Sequence, residues 1–171
     1  MESISNLTKF SPGSWEEGVE SVREAKHLYE DVIKDTLEKL GIPLNADTKI
    51  LEIGSGSNVL LKFFQGKGHN IVGVDARPRG GKEGKIVAGR IEQLPFQDET
   101  FDLIISNSVF DDIVYNQDQL SMVKEMARVL KKGGVYFGML NSMANKASLD
   151  EYFETFKDCE GTNGSIVYRK K

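Results

Sequence analysis

The pattern of apolar and polar positions divides this 171-residue chain into alternating helices and strands. Apolar residues recur at every third or fourth position over residues 14–40, which predicts a helix, and Gly41 and Pro43 end it. Further helical patterns begin at Val59 and at Leu120. The predicted helices cover residues 14–40, 59–64, 120–132 and 148–157.

Short apolar runs between these helices are typical of strands that are buried on both faces. They lie at residues 49–53, 70–75, 85–88, 101–106, 135–140 and 165–169. Gly133 and Gly134 are predicted to end the third helix just before the fifth strand. Because strands and helices alternate, we expect an α/β fold with a Rossmann-like, doubly wound, mostly parallel sheet and helices on both faces. Residues 156–159 are predicted to pair antiparallel with the last strand in a short C-terminal hairpin.

Composition and charge exclude several classes of function. With 39% hydrophobic residues, 28% charged residues and a formal net charge of -4, the chain gives no reason to expect nucleic-acid binding. Its single cysteine, Cys159, excludes an intrachain disulfide and a cysteine cluster for zinc. No signal peptide or membrane-spanning run is visible, so we expect a cytoplasmic protein that does not bind membranes and holds no metal. We expect one domain over residues 1–171, with a helical cover at 1–45 and the Rossmann-like core at 46–171.

Candidate chemistry is concentrated where the first predicted strand ends. Residues 51–56 read Leu-Glu-Ile-Gly-Ser-Gly, so this strand enters a turn with two close glycines and then the helix that begins at Val59. Such a turn lets the backbone approach a ligand closely, and the free N–H groups of the helix point toward it. The second strand ends in Asp75, at a spacing where a carboxylate can accept hydrogen bonds from ribose hydroxyls. The glycine turn and Asp75 together predict a nucleotide-type site.

Two classes of ligand use this arrangement, dinucleotides and S-adenosylmethionine. A dinucleotide fingerprint requires a third glycine three residues after the second, and this chain has Val59 there. Glu52, ahead of the glycines, is not part of that fingerprint. An NADP-linked reductase is a further hypothesis because Arg77 and Arg79 follow the second strand, but Asp75 would repel a 2′-phosphate. The glycine spacing therefore favours S-adenosylmethionine.

Four motifs in order resemble those of class I S-adenosylmethionine-dependent methyltransferases. They are residues 51–56, residues 72–75, residues 94–98 with 101–102, and residues 126–134. The resemblance extends over residues 46–140 and implies methyl transfer from S-adenosylmethionine. The chain lacks an Asn-Pro-Pro-Tyr-like tetrad after the fourth strand and has almost no inserted structure, so the expected methyl acceptor is a small molecule.

The resemblance also implies which residues contact the cofactor. Those residues are Glu52, Gly54 and Gly56 at the methionine part, Asp75 at the ribose, Ile91 and Glu92 at the adenine, Asn107 at the methionine end or the acceptor, and the adjoining Ser55 and Ala76. Two positions depart from the family pattern. Asn58 replaces a third glycine, although Asn tolerates the left-handed backbone region. Arg90 replaces an Asp that in many members contacts the adenine amino group, and an Arg cannot accept that hydrogen bond. Both departures support an alternative function, a degenerate fold that serves as a binding or partner module.

Candidate catalytic residues are few, because a sulfonium leaving group needs no proton and much of the catalysis can come from positioning. Asp111 or Asp112 could act as a general base toward a hydroxyl or amine. Alternatively they flank the next helix, since neighbouring acids in loops are commonly solvated. The resemblance implies that acceptor contacts come from three segments: residues 107–112 with Tyr115, residues 15–29, and residues 141–146.

Overall fold

The computed structural model describes residues 18–78, 85–107, 109, 119–139, 146–155 and 165–171. Within these residues the sheet has seven strands in the order β3-β2-β1-β4-β5-β7-β6. The strands are β1 Lys49–Ile53, β2 Asn70–Asp75, β3 Ile86–Ala88, β4 Phe101–Asn107, β5 Leu130–Met139, β6 Phe153–Thr155 and β7 Ile166–Lys170. Strands β1 to β5 pair in parallel, and β7 pairs antiparallel with both β5 and β6. The predicted Rossmann-like, mostly parallel sheet is confirmed.

Helices cover both faces of this sheet. The N-terminal helical stretch consists of α1 Gly18–His27, a π-helical segment Leu28–Lys34 and α2 Asp35–Lys39. The other helices are α3 Val59–Gly66, α4 Gln119–Val129 and α5 Lys146–Tyr152. Gly41, with φ +67°, follows the first stretch, as its glycine signal predicted. No helix in the described ranges combines the length and apolarity needed to cross a membrane.

The core consists of two hydrophobic clusters, one on each face, because successive strand residues point to opposite sides. Ile50 of β1 packs with α3 and the N-terminal helical stretch, whereas Leu51 packs with α4 and α5. Tyr29 joins the N-terminal stretch to the core, since its ring lies 4.8 Å from that of Phe64 and its hydroxyl lies 2.6 Å from Nε2 of His69. These contacts fix the N-terminal stretch over α3.

The predicted boundary between α4 and β5 is wrong. Helix α4 ends at Val129, and β5 already begins at the buried Leu130, which pairs with Phe101. The register then shifts, because the next pair is Leu103 with Val135. Residues 131–134 therefore form a bulge opposite Asp102, and the two glycines mark this bulge rather than the helix end.

The predicted C-terminal helix is too long. Helix α5 ends at Tyr152, and Phe153–Thr155 form β6, which pairs antiparallel with β7. The side chain of Phe153 is 1% exposed and packs between the rings of Tyr136 and Tyr168. This burial favours a strand over a further helical turn at residues 153–155. The antiparallel pairing was predicted, but for residues 156–159, which lie outside the described ranges.

Candidate functional site

The glycine turn lies at the carboxyl end of β1, where the order of strands reverses between β1 and β4. In open α/β sheets ligands bind in the crevice at this point. The N–H groups of Gly54 and Ser55 donate to the carbonyl oxygen of Val74, at 2.8 and 3.2 Å, which ties the turn to the end of β2. Gly54 and Gly56 have φ of +72° and +48°. The glycines therefore permit a backbone path that would strain most other residues.

Asp75 lies against this turn at the end of β2. Its Oδ2 accepts a hydrogen bond of 2.9 Å from the N–H of Gly56, 19 positions earlier. Its Oδ1 accepts one of 2.7 Å from the N–H of Arg77. An ionised carboxylate has about four acceptor sites, so two remain for further donors such as the hydroxyls of a ribose. The carboxylate predicted to bind a ribose thus lies beside the glycine turn, and its contact with a ribose stays a prediction.

The side chain of Val109 packs against the glycine turn at Gly54. It follows β4, two residues after Asn107, which ends that strand half-buried. A side chain at Gly54 would overlap the side chain of Val109, because an added Cβ would meet its Cγ1 at 3.2 Å and its Cγ2 still closer. Val109 belongs to a segment expected to contact the acceptor, but no sequence signal connected it with Gly54.

Glu52 is a buried acid beneath the first turn of α3. It pairs in register with Gly73 of β2 and Ile105 of β4, and only 5% of it is exposed. Burial raises its pKa from 4.5 to about 8, with a smaller upward contribution from the charge of Asp75, while a hydrogen bond from the N–H of Leu61 lowers it. Its Oε2 has no hydrogen-bond partner in the described part of the chain. A cation beside Glu52 would restore its charge.

Ser55 and Asn58 place further polar atoms beside the same turn. The backbone of Asn58 is left-handed, with φ 68°, as its choice in place of glycine predicted, and its side chain is fully buried. The side-chain oxygen of Ser55 and both side-chain polar atoms of Asn58 have no partner among the described residues. Buried polar groups without partners are costly, so this group of side chains is suited to a polar ligand. With the acid of Glu52, it fits the amino-acid part of S-adenosylmethionine.

The 90–93 turn follows β3 at the same edge of the sheet. The N–H of Gln93 donates to the carbonyl oxygen of Arg90 at 3.1 Å, and Ile91 is 6% exposed within the core. Nη2 of Arg90 donates to Oε1 of Glu92 at 3.0 Å. The N–H of Gly89 donates to the carbonyl oxygen of Asp75 at 3.1 Å, so this turn adjoins the end of β2. Ala76, which follows β2, is exposed.

A clamp formed by Glu125 and Arg128 of α4 holds the segment that follows this turn. Glu125 accepts a hydrogen bond of 2.7 Å from the N–H of Leu94. Arg128 donates to the carbonyl oxygens of Leu94 and Phe96, at 2.9 and 2.8 Å, and to Oδ1 of Asp98, at 2.7 Å. Its Nε and Nη2 both donate to Glu125 at 2.7 Å. No local sequence pattern indicates these contacts, so neither Glu125 nor Arg128 was predicted to have a role.

The candidate bases Asp111 and Asp112 lie outside the described ranges, as does Tyr115, so their roles stay predictions. Residues 18–29 of the predicted acceptor segment 15–29 are described, and Tyr29 at its end packs against Phe64 and His69. Among the residues that the structure describes, no group of His, Cys, Asp or Glu side chains is arranged to hold a metal ion.

Comparison with known proteins connects this site with one family. A family model described as a methyltransferase domain matches residues 51–138, just over half of the chain. An uncharacterized methyltransferase of Synechocystis sp. is 31% identical over 107 residues, which are 58% of this chain and 49% of that protein. An uncharacterized protein of Methanocaldococcus jannaschii is 35% identical over 89 residues, which are 49% of this chain and 40% of that protein. The chain therefore spans less than half the length of each of these curated relatives.

Solved structures agree on the fold. A TehB-like SAM-dependent methyltransferase from Corynebacterium glutamicum is similar with a TM-score of 0.57, covering 87% of this chain and 99% of that one. The two sequences are 15% identical, so the likeness concerns the fold alone.

Proposed function

Since the chain belongs to the methyltransferase-domain family, we propose that it binds S-adenosylmethionine and transfers its methyl group to a small-molecule acceptor. The observation that carries this proposal is the contact between the glycine turn and Asp75, where the N–H of Gly56 lies 2.9 Å from Oδ2. It brings a glycine-containing backbone turn and a carboxylate together at the edge where nucleotide ligands bind.

The proposed roles divide the cofactor among the carboxyl ends of four strands, β1 to β4. Asp75, with Ala76 beside it, accepts hydrogen bonds from the ribose hydroxyls. Glu52 and the turn of Gly54, Ser55 and Gly56 hold the methionine part. Burial keeps Glu52 largely neutral at neutral pH, since its pKa is raised to about 8. The ammonium of the cofactor would favour the ionised form of Glu52, which makes this acid suited to that group.

The other proposed cofactor contacts come from the ends of β3 and β4, the strands that flank β2 and β1. Ile91 and Glu92 border the adenine, and Asn107 at the end of β4 faces the methionine end or the acceptor. The cofactor, when bound, supplies a methyl group on a positively charged sulfur. The residues of the chain then have to hold the acceptor in line with that methyl group and exclude water, and the apolar Val109 is suited to the second task. Asp111 or Asp112 is proposed as the base if the acceptor must lose a proton.

A partner module without methyltransferase activity is the second candidate function. Arg90 favours it, because this side chain replaces an acid and is 65% exposed in its pair with Glu92. No observation favours the NADP-linked reductase, since Asp75 carries the charge that would repel a 2′-phosphate.

Isothermal titration with S-adenosylmethionine and S-adenosylhomocysteine tests cofactor binding. We expect the unmodified chain to bind both compounds and Asp75→Asn to bind them about tenfold more weakly, as expected for hydrogen bonds to a charged group. Asp47→Asn, a change of the same kind in an exposed turn, should have no effect. The absence of binding at millimolar cofactor would contradict the proposal and favour the partner module.

Incubation with methyl-labelled cofactor tests the acceptor class. Cell extract separated by size supplies candidate acceptors, and we expect label to enter the low-mass fraction. Label found only in protein or nucleic acid would contradict a small-molecule acceptor.

A further inference from the structure

We propose that Tyr136 is a positioning residue. Through a buried hydrogen bond with Ser106 it fixes the carboxyl end of β4 against the glycine turn, and it thereby strengthens the binding of the amino-acid part of the cofactor. This inference rests on the proposed binding of S-adenosylmethionine. It assigns a role to two buried hydroxyl groups that the proposed cofactor contacts do not include.

The two hydroxyl groups lie between β4 and β5, on the sheet face that α4 and α5 cover. Oη of Tyr136 lies 2.8 Å from Oγ of Ser106, and both side chains are buried. Burial raises the pKa of Tyr136 above its ordinary value of 10.0, although the bond with Ser106 lowers it, so the tyrosine hydroxyl is neutral. Because the core offers no water in exchange, breaking this hydrogen bond is costly.

The ring of Tyr136 extends toward the carboxyl ends of the strands. In the register of β4 and β5, Tyr136 pairs with Ile104. Ser106 pairs with Gly138, which lies two residues further along β5. Tyr136 therefore reaches Ser106 by lying across Gly138, where an added Cβ would meet its Oη at 2.6 Å. Since position 138 has no side chain, the tyrosine hydroxyl can lie at the end of β4.

Ser106 adjoins both strand ends that form the proposed methionine site. It pairs with Ile53 of β1, the residue that directly precedes Gly54. In its own strand it directly precedes Asn107, which ends β4. Two residues later, Val109 packs against Gly54. The end of β4 is thus held at Ser106 by the hydrogen bond with β5, and it contacts the glycine turn at Val109.

This arrangement acts on the amino-acid part of the cofactor more than on its nucleoside. In the proposed function the glycine turn holds the methionine part, whereas the ribose lies at Asp75 of β2, which is on the other side of β1 from β4. Groups that are fixed before a ligand arrives need not be ordered when it binds. Loss of the hydrogen bond should therefore weaken binding of the amino-acid part and leave the nucleoside contacts largely unchanged.

The test compares two ligands that differ only in the amino-acid part. S-adenosylhomocysteine carries it, and 5′-methylthioadenosine has a methyl group in its place. We expect the unmodified chain to prefer S-adenosylhomocysteine by about tenfold or more in calorimetric affinity. Tyr136→Phe should reduce this preference by about fivefold, as expected for the loss of one buried hydrogen bond. Ser106→Ala removes the same hydrogen bond from the side of β4 and should reduce the preference by a similar factor.

Two further variants separate positioning from stability. Tyr168→Phe is the matched control, because Tyr168 of β7 pairs with Tyr136 and is buried in the same cluster, and it should leave the preference unchanged. The double variant Ser106→Ala with Tyr136→Phe removes both hydroxyl groups, so no serine hydroxyl is left in the core without its tyrosine partner. Its urea midpoint should rise above that of Tyr136→Phe, while its preference stays reduced.

The two proposals fail differently in this experiment. If the unmodified chain does not bind S-adenosylhomocysteine, the proposed function is wrong. If the chain binds it but Tyr136→Phe and Ser106→Ala keep the full preference, only the inference about Tyr136 is wrong. A double variant that regains the preference together with its stability would show that Tyr136 has a purely structural role. The preference is a ratio of two affinities for the same variant, so a partial loss of folded protein does not change it.

Discussion

Replacing Glu52 by Gln should make the protein more stable at neutral and alkaline pH. Glu52 is 5% exposed, and burial raises its pKa from 4.5 to about 8. Between these values the unfolded chain loses a proton that the folded chain keeps. The stability that a neutral Glu52 contributes is therefore fully present below about pH 4.5 and is lost as the pH rises through about 8. Gln keeps the shape of the protonated acid and cannot ionise.

The magnitude follows from the size of the shift. From 4.5 to about 8 is about 3.5 pH units, which at about 1.4 kcal/mol per unit corresponds to about 5 kcal/mol lost in full above pH 8. At pH 7 the loss of stability is about 3 kcal/mol, since this pH lies about 2.5 units above the ordinary pKa of 4.5. Glu52→Gln and the unmodified chain should thus have equal free energies of unfolding below about pH 4.5. Between about pH 4.5 and 8 the variant should become increasingly more stable than the unmodified chain.

Urea denaturation at about pH 5, 7 and 9 measures this difference. Glu154→Gln, a change of the same kind at an exposed residue of β6, is the matched control and should follow the unmodified chain. Other titrating groups contribute equally to both proteins and cancel in the comparison. A constant difference between Glu52→Gln and the unmodified chain at all three values would refute the reasoning.

Two further substitutions test the structure around the site. Gly54→Ala should lower the free energy of unfolding by about 2–4 kcal/mol, because Gly54 has φ +72° and the new Cβ would overlap Val109; Val109→Ala in the same chain should recover part of the loss. A loss below about 1 kcal/mol in urea denaturation would contradict this account. Arg128→Met should cost about 2–4 kcal/mol and speed amide hydrogen exchange at residues 94–100 more than in β1, since it leaves Oε1 of Glu125 and two carbonyl oxygens without their donor. Arg128→Lys keeps the charge but not the planar guanidinium, so its stability should lie between those of the unmodified chain and Arg128→Met. If Arg128→Met speeds amide exchange equally at residues 94–100 and in β1, the clamp does not hold this segment.

The glycine turn and Asp75 were predictable from sequence because their signals are local. Left-handed positions favour glycine or asparagine, and Asp75 meets Gly56 because Asp75 ends β2 and the turn with Gly56 directly follows the adjacent parallel strand β1. Spacing along the chain therefore decides the contact once the strands are recognised. The division into a helical cover at residues 1–45 and a core at 46–171 stays a prediction.

Other features depend on distant contacts and could not be predicted in this way. The glycines at 133 and 134 suit a helix end and a bulge equally well, and the pairing of Leu130 with Phe101 decides between them. Residues 153–155 continue a helical sequence pattern, but pairing with β7 makes them a strand. The clamp of Glu125 and Arg128 reaches more than 25 positions back along the chain, to Leu94, Phe96 and Asp98. No local pattern carries that information.

A crystal structure of the chain soaked with S-adenosylhomocysteine tests the central proposal most directly. We predict density for the ligand at the carboxyl ends of β1 and β2, with the ribose hydroxyls within hydrogen-bond distance of Asp75 and the amino group beside Glu52. Density elsewhere, or an empty glycine turn at millimolar ligand, would contradict the proposed function.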